Sequence, residues 1–215
     1  MMNYFKLIFS NNSILRILQN EEFKRYKITG KSIEFGANFN IERNFLKEKS
    51  KKYQTIFSNI KKKKNFLYLN LQKKIKHKKK YNNVIIFNVL EHLPDINFAL
   101  KNLNSLLKKN GNIIGSTPFI YRIHGAPNDY CRYTHDYIKL SLKKNKFKNI
   151  KIRELGLGPF LASYSLLRGY LKYLPIIYQV LLLIVLIIDR LIYLFMKNDH
   201  KKIYPIGYIF SATKI

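Results

Sequence analysis

Asn83-Val84-Ile85-Ile86-Phe87-Asn88-Val89-Leu90-Glu91-His92-Leu93 is the stretch on which the reading of this chain turns. Residues 84–87 are a continuous apolar run, and such runs suit a strand of a parallel sheet covered on both faces. The acid–His pair that follows leaves the strand. Downstream, Leu100, Leu103, Leu106 and Leu107 share one helical face, so the spacing predicts a helix over residues 100–109. Asn110-Gly111 reads as its C-cap and residues 112–116 as the next strand.

The same alternation continues on either side of this stretch. Ile14, Leu15, Ile17 and Leu18 recur at helical spacing in a lead-in over residues 1–29, which Gly30 ends. Residues 31–35 read as a strand running into a turn at Gly36-Ala37-Asn38, with a helix over 41–50. Strands are expected at 53–57 and 66–71, a helix at 137–144, and further strands at 149–154 and 204–213. Strands alternating with helices predict an α/β fold, a Rossmann-like doubly wound, mostly parallel sheet with an antiparallel last strand. Ligands of such sheets bind beyond the carboxyl ends of the strands, where strand order reverses.

One segment departs from the plan. Residues 173–188 carry no charge and are dominated by Leu and Ile; Asp189-Arg190 interrupts the run and 191–196 resume it. The run is short of the roughly 20 residues that span a bilayer. Three readings stand: an interfacial or re-entrant anchor, a span, or helices buried in the protein. The expected organisation is a lead-in at 1–29 and a domain at 30–215, with an apolar helical, membrane-competent insertion at 159–197.

Composition bounds the function. The chain has 215 residues, 40 Lys and Arg against 12 Asp and Glu, and a formal net charge of +28. That charge favours polyanions and anionic lipid. The lysines are spread through loops and helix faces, and the chain is also crowded with Asn and Ile, so no specific nucleic-acid reader is expected. Cys131 is the single cysteine, which excludes an internal disulfide and fits a reducing compartment. No small-residue cleavage site follows the N-terminal apolar stretch, so no signal peptide is expected. No G-x-S-x-G elbow follows a strand, which argues against a serine hydrolase, and no His, Asp or Glu cluster shows metal-ligand spacing, so no metal is expected.

Three stretches taken together resemble the class I S-adenosylmethionine-dependent methyltransferases of the methyltransferase type 11-like domain family. Ser32-Ile33-Glu34-Phe35-Gly36-Ala37-Asn38-Phe39-Asn40 looks like the cofactor loop of that family, with Asn38 and Asn40 where its second and third glycines stand. Residues 84–93, with Pro94-Asp95, Ala99-Leu100 and residues 106–111, resemble its fourth strand, Leu-Glu-His-Leu segment, helix and fifth strand. Residues 116–134 and the Tyr-Pro-Ile-Gly-Tyr of 204–208 resemble a subgroup found in bacterial surface-glycan pathways.

The resemblance implies S-adenosyl-L-methionine as cofactor. Glu34 would balance its amino group, Gly36 and Asn38 form the turn, and Asn59, Asn70 and Asn88 lie at the ends of strands two, three and four. The family commonly has acids where Asn59 and Asn70 stand. His124 is the leading candidate base, because His titrates near neutral pH, with Asp129 as its orienter or as a base itself. Tyr130, Arg132 and Tyr133 are candidates to line an acceptor pocket; Arg132 suits a phosphate or carboxylate, or pairs with Asp129. His92 is read as structural or cofactor-adjacent, Glu91 as serving the start of the next helix, and His77 as solvated. The implied function is methyl transfer to a small-molecule, glycan or lipid-linked acceptor, in the cytoplasm near the inner face of the membrane. Two alternatives remain: a non-catalytic, membrane-associated interaction protein of the same fold, and an RNA methyltransferase. Oligomeric state is not legible.

Overall fold

The computed structural model describes residues 12–36, 55–59, 67–125, 128–171, 173–196 and 199–215. In chain order the elements are α1 (Ile14–Phe23), β1 (Ser32–Phe35), β2 (Thr55–Asn59), β3 (Leu67–Tyr68), β4 (Tyr81–Phe87), a 3-10 turn (Leu90–His92), α2 (Ile96–Leu106), β5 (Leu107–Pro118), α3 (His135–Lys144), β6 (Phe147–Leu155), α4 (Pro159–Leu171), α5 (Pro175–Met196), α6 (His200–Ile203) and β7 (Gly207–Lys214). The strands form one seven-stranded sheet in the order β3-β2-β1-β4-β5-β7-β6. The pairs β3–β2, β2–β1, β1–β4 and β4–β5 are parallel.

The last strand runs the other way. Thr213 Oγ1 bonds Asn112 Oδ1 at 3.0 Å, the Phe210 ring lies over Gly115, and the N–H of Phe119 donates to Ile206 O at 2.8 Å, so numbering rises on one strand as it falls on the other. The N–H groups of Ile206 and Ile215 donate to Leu155 O and Lys146 O, which gives β7 the same sense against β6. The sheet is therefore doubly wound and mostly parallel with an antiparallel last strand, as the alternation predicts.

Several boundaries differ from expectation. The helix over 100–109 is instead Ile96–Leu106, started by Asp95, whose carboxylate accepts from the N–H of Phe98 at 3.0 Å. Leu107 is extended and buried, and pairs with Tyr81. The register then jumps to Asn83↔Asn112. Asn110-Gly111 accordingly sits in a bulge of β5, with Asn110 at φ 58, and not at a helix end. Strand two falls at Thr55–Asn59, two residues later than its hydrophobic pattern placed it, and strand three shrinks to Leu67–Tyr68. The helix expected over 41–50 lies outside the described residues.

Two compact units are present. One comprises the described residues of Tyr26–Thr117, His124–Ile152 and Phe210–Ile215. Its core is built from Ile33, Val84, Ile86, Leu103, Leu106, Ile113 and Phe210, all fully or nearly fully buried. Within it, the buried Asn102 of α2 donates to Leu71 O at 2.8 Å and Lys73 O at 3.0 Å and accepts from the N–H of Ile75, stapling the extended segment before β4. His77, expected in solvent, stacks on the buried Tyr81 and meets its hydroxyl at 3.0 Å.

The other unit comprises the described residues of Met1–Arg25, Pro118–Ile123 and Arg153–Ile209. The apolar segment here is a helix pair, and the acid that interrupts it has a structural task. The Asp189 carboxylate of α5 accepts from the N–H groups of Phe160 and Leu161 at 3.1 and 2.8 Å, capping α4 from across the pair. Its Oδ1 comes so close to Gly158 that a Cβ there would lie 2.5 Å from it. The Tyr164 hydroxyl adds a bond to Tyr178 O at 2.7 Å.

Candidate active site

Strand order reverses between β1 and β4, so both strands end at the position where a doubly wound sheet takes its ligand. β1 delivers Glu34, fully buried, and then Gly36 at φ 71. A Cβ on Gly36 would lie 2.3 Å from Val89 Cγ2, so only glycine lets this turn pass beside the end of β4. β4 ends in Asn88 at φ 51, a conformation that Asn tolerates better than most residues. The N–H of Asn88 donates to Ser116 O at 3.0 Å, and the chain folds into the 3-10 turn carrying Glu91 and His92.

That turn meets the loop before α3. The N–H of Tyr130 donates to Glu91 O at 2.8 Å, and His92 Nδ1 lies 2.6 Å from Asn128 O. The His92 and His124 rings stand edge to face with centroids 5.0 Å apart. Asp129 organises the loop. Its carboxylate receives both arms of the Arg132 guanidinium and the N–H of His124 at 2.9 Å, and it lies 3.4 Å from His124 Nδ1. The guanidinium fork holds the Asp129 carboxyl well below the usual carboxylate range.

Glu91 has the opposite environment. It is fully buried, and neither carboxylate oxygen finds a hydrogen-bond partner among the described residues. Burial pushes it up to about 8, against the lowering influence of Arg132. Two carboxyl groups of one loop cluster are thus driven apart, one held charged and one held protonated at neutral pH, a pattern typical of working sites.

The sequence candidates divide accordingly. Glu34, Gly36 and Asn88 gather at the ends of β1 and β4, and His124 and Asp129 come together as expected. Asn59 ends β2, where it pairs with Tyr68 of β3. The Asn70 carboxamide oxygen accepts from the N–H of Gln72 at 2.8 Å, which engages it in its own turn. Asn38 lies outside the described residues. Of the acceptor candidates, Tyr130 is half exposed, and Arg132 serves Asp129. Tyr133 is buried, with its hydroxyl directed to Leu90 O and Leu93 O and its ring stacked on Tyr137. It braces the turn and offers no free surface to an acceptor. Glu91 and His92 were not among the candidates; Asp95 takes the helix-capping role assigned to Glu91.

The Asp129 assignment has a measurable consequence. In Asp129→Asn the charged half of the fork is lost, at a cost of about 2 kcal/mol at pH 7. A carboxyl whose folded value is depressed stabilises the fold above its unfolded value near 3.9, and this is lost as pH falls toward the folded value. The gap between parent and variant in urea denaturation is therefore level from about pH 8 to 5 and narrows below about pH 4. A gap that is absent at pH 7, or unchanged down to about pH 2, contradicts the assignment.

The profile of the methyltransferase domain matches residues 15–148, more than half of the chain. No curated protein sequence matches it. Solved structures share the fold at low identity. A SAM-dependent methyltransferase from Archaeoglobus fulgidus superposes with a TM-score of 0.57 at 16% identity, covering 98% of each chain. The Burkholderia thailandensis 1,6-didemethyltoxoflavin-N1-methyltransferase, solved with its acceptor and S-adenosylhomocysteine, gives 0.56 at 10% identity, covering 96% of this chain and 80% of that one. Phosphoethanolamine N-methyltransferase 2 of Haemonchus contortus, solved with S-adenosyl-L-methionine, gives 0.54 at 14% identity, and 98% of this chain spans 56% of that longer one. Sequence profile, sheet order and the glycine turn beside β4 agree: the chain belongs to the methyltransferase domain family and has the fold of S-adenosylmethionine-dependent methyltransferases.

Proposed function

We propose that this protein transfers a methyl group from S-adenosylmethionine to a small-molecule or glycan-type, lipid-linked acceptor at the cytoplasmic face of a membrane. The cofactor fits the residues present. Gly36, at φ 71 and packed under Val89, gives the sharp turn of a cofactor loop, and Glu34 places a carboxyl group in the strand that enters this turn. When bound, S-adenosylmethionine supplies an electrophilic methyl group. Glu34 would hold its amino group, and the turns at Gly36 and Asn88 would cradle it. With its ring nitrogen free of any metal, His124, held through Asp129, would receive the proton shed by an acceptor hydroxyl or amine.

The observation that carries the membrane part is α5. Within 176–196 the buried residues are Tyr178, Leu182, Leu186 and Asp189, while Ile176, Val180, Leu183, Ile187 and Leu194 are among the exposed ones. The buried Asp189 faces α4 and caps it, so one side of the helix is committed to protein and the other, Arg190 apart, is apolar and exposed. That division favours a helix pair lying in the interface over a lone span. The net charge of +28 adds attraction to anionic lipid.

The protein is expected to sediment with anionic vesicles at low salt, and the double variant Leu183→Asp, Ile187→Asp to stay in the supernatant with an unchanged melting transition. Protein that remains soluble beside such vesicles rules out the membrane reading. Labelled methyl appearing in a lipid-linked sugar pool supports the acceptor class, whereas label in RNA overturns it. A second reading, a non-catalytic relative, is favoured by Asn59 and Asn70 standing where the family commonly has acids, with Asn70 engaged in a local turn.

A further inference from the structure

We infer that Glu91, His92 and His124 form a binding site for a divalent transition-metal cation of the zinc type. One ligand atom from each of the three lies within 4.8 Å of the others. Two imidazoles and a carboxylate are a donor set suited to such a cation, and three protein ligands leave a position open to water or an acceptor oxygen.

The orientation of the donors is fixed by their surroundings. His92 Nδ1 lies 2.6 Å from the backbone carbonyl of Asn128, and a carbonyl can only accept. The proton of the neutral ring therefore sits on Nδ1, and Nε2 carries a lone pair, 3.8 Å from Glu91 Oε1. His124 has a carboxylate at its Nδ1, 3.4 Å away in Asp129, and Asp129 is itself locked by Arg132. A carbonyl behind one imidazole and a carboxylate behind the other are the outer supports that metal-bound histidines require. Glu91 completes the set as a fully buried carboxyl group with neither oxygen hydrogen-bonded among the described residues, an arrangement that costs free energy and that a cation, displacing the proton, would relieve.

The geometry needs a small closure. Zinc ligands about 2.0–2.2 Å from the metal stand about 3.5 Å from one another in a tetrahedron. The 3.8 Å between Glu91 and His92 is close to that already. His124, on the partly exposed side of the cluster, supplies the remaining movement and the route of entry.

The test uses the full chain in mild detergent, stripped with a chelator, and titrated calorimetrically with zinc chloride. The expected result is one site per chain with micromolar or tighter affinity. Glu91→Gln and His124→Ala are each expected to weaken it at least tenfold, while His135→Ala, on a partly exposed histidine outside the cluster, leaves it unchanged. Cobalt substitution provides a second readout, an intense visible absorption of tetrahedral type that His124→Ala abolishes. Absence of saturable binding by the folded parent, or binding indifferent to both cluster variants, overturns the site. Because no cofactor is present in the titration, its outcome is independent of methyl transfer.

Discussion

In Glu34→Gln, affinity for S-adenosylhomocysteine falls by roughly ten- to a hundredfold, the worth of one hydrogen bond to a charged group at about 1.5–3 kcal/mol. Glu34 is the only ionisable side chain β1 contributes, it is fully buried, and it precedes the Gly36 turn by two residues. Gln has the same shape, so the sheet keeps its packing and the loss reports on charge. The measurement is calorimetric titration of parent and variant, with thermal melts showing both folded. Equal affinity removes Glu34 from the cofactor site. A folded parent that binds nothing at millimolar ligand moves the protein to the non-catalytic reading.

Gly115→Ala is expected to destabilise the protein by about 3 kcal/mol, the upper end of overpacking costs. A Cβ at residue 115 would lie 2.2 Å from Phe210 Cζ and 2.8 Å from two further ring carbons. Phe210 is completely buried in β7, and Gly115 is held in register with Ile86 of β4. Neither strand can withdraw without breaking its ladder. Phe210→Leu empties part of the same space, so the double variant should lose less than the two single losses combined, a coupling of about 1 kcal/mol or more. Strict additivity in urea denaturation, or an alanine variant as stable as the parent, refutes this packing.

How much was legible follows from the range over which each feature is encoded. The strand of 84–87, the amphipathic helix after it and the apolar pair near the C-terminus are local patterns, set by side-chain periodicity and run length, and they fold where their patterns lie. The resemblance carried by residues 32–40 and 84–93 anticipated the sheet type and the glycine turn after β1. Boundaries were less secure, because pairing sets them. Leu107 matches the helical spacing of Leu100 and Leu103, yet it is extended because Tyr81 of β4 takes it as a strand partner. Asn110-Gly111 has the composition of a helix end and becomes a bulge because the register must jump there.

The sequence by itself thus determined the class of the sheet, the glycine turn that follows β1, and the presence of an apolar helical insertion, since each rests on neighbours in the chain. Only the tertiary structure decided what the isolated polar residues do. Asp189 reads as an interruption of an apolar run until α5 lies along α4 and its carboxylate meets the first N–H groups of that helix. Glu91 and His92 read as the approach to a helix until the loop before α3 brings His124 against them and Asn128 fixes the proton on His92. These groups act through partners far away along the chain, and no local pattern records a partner that only chain closure supplies.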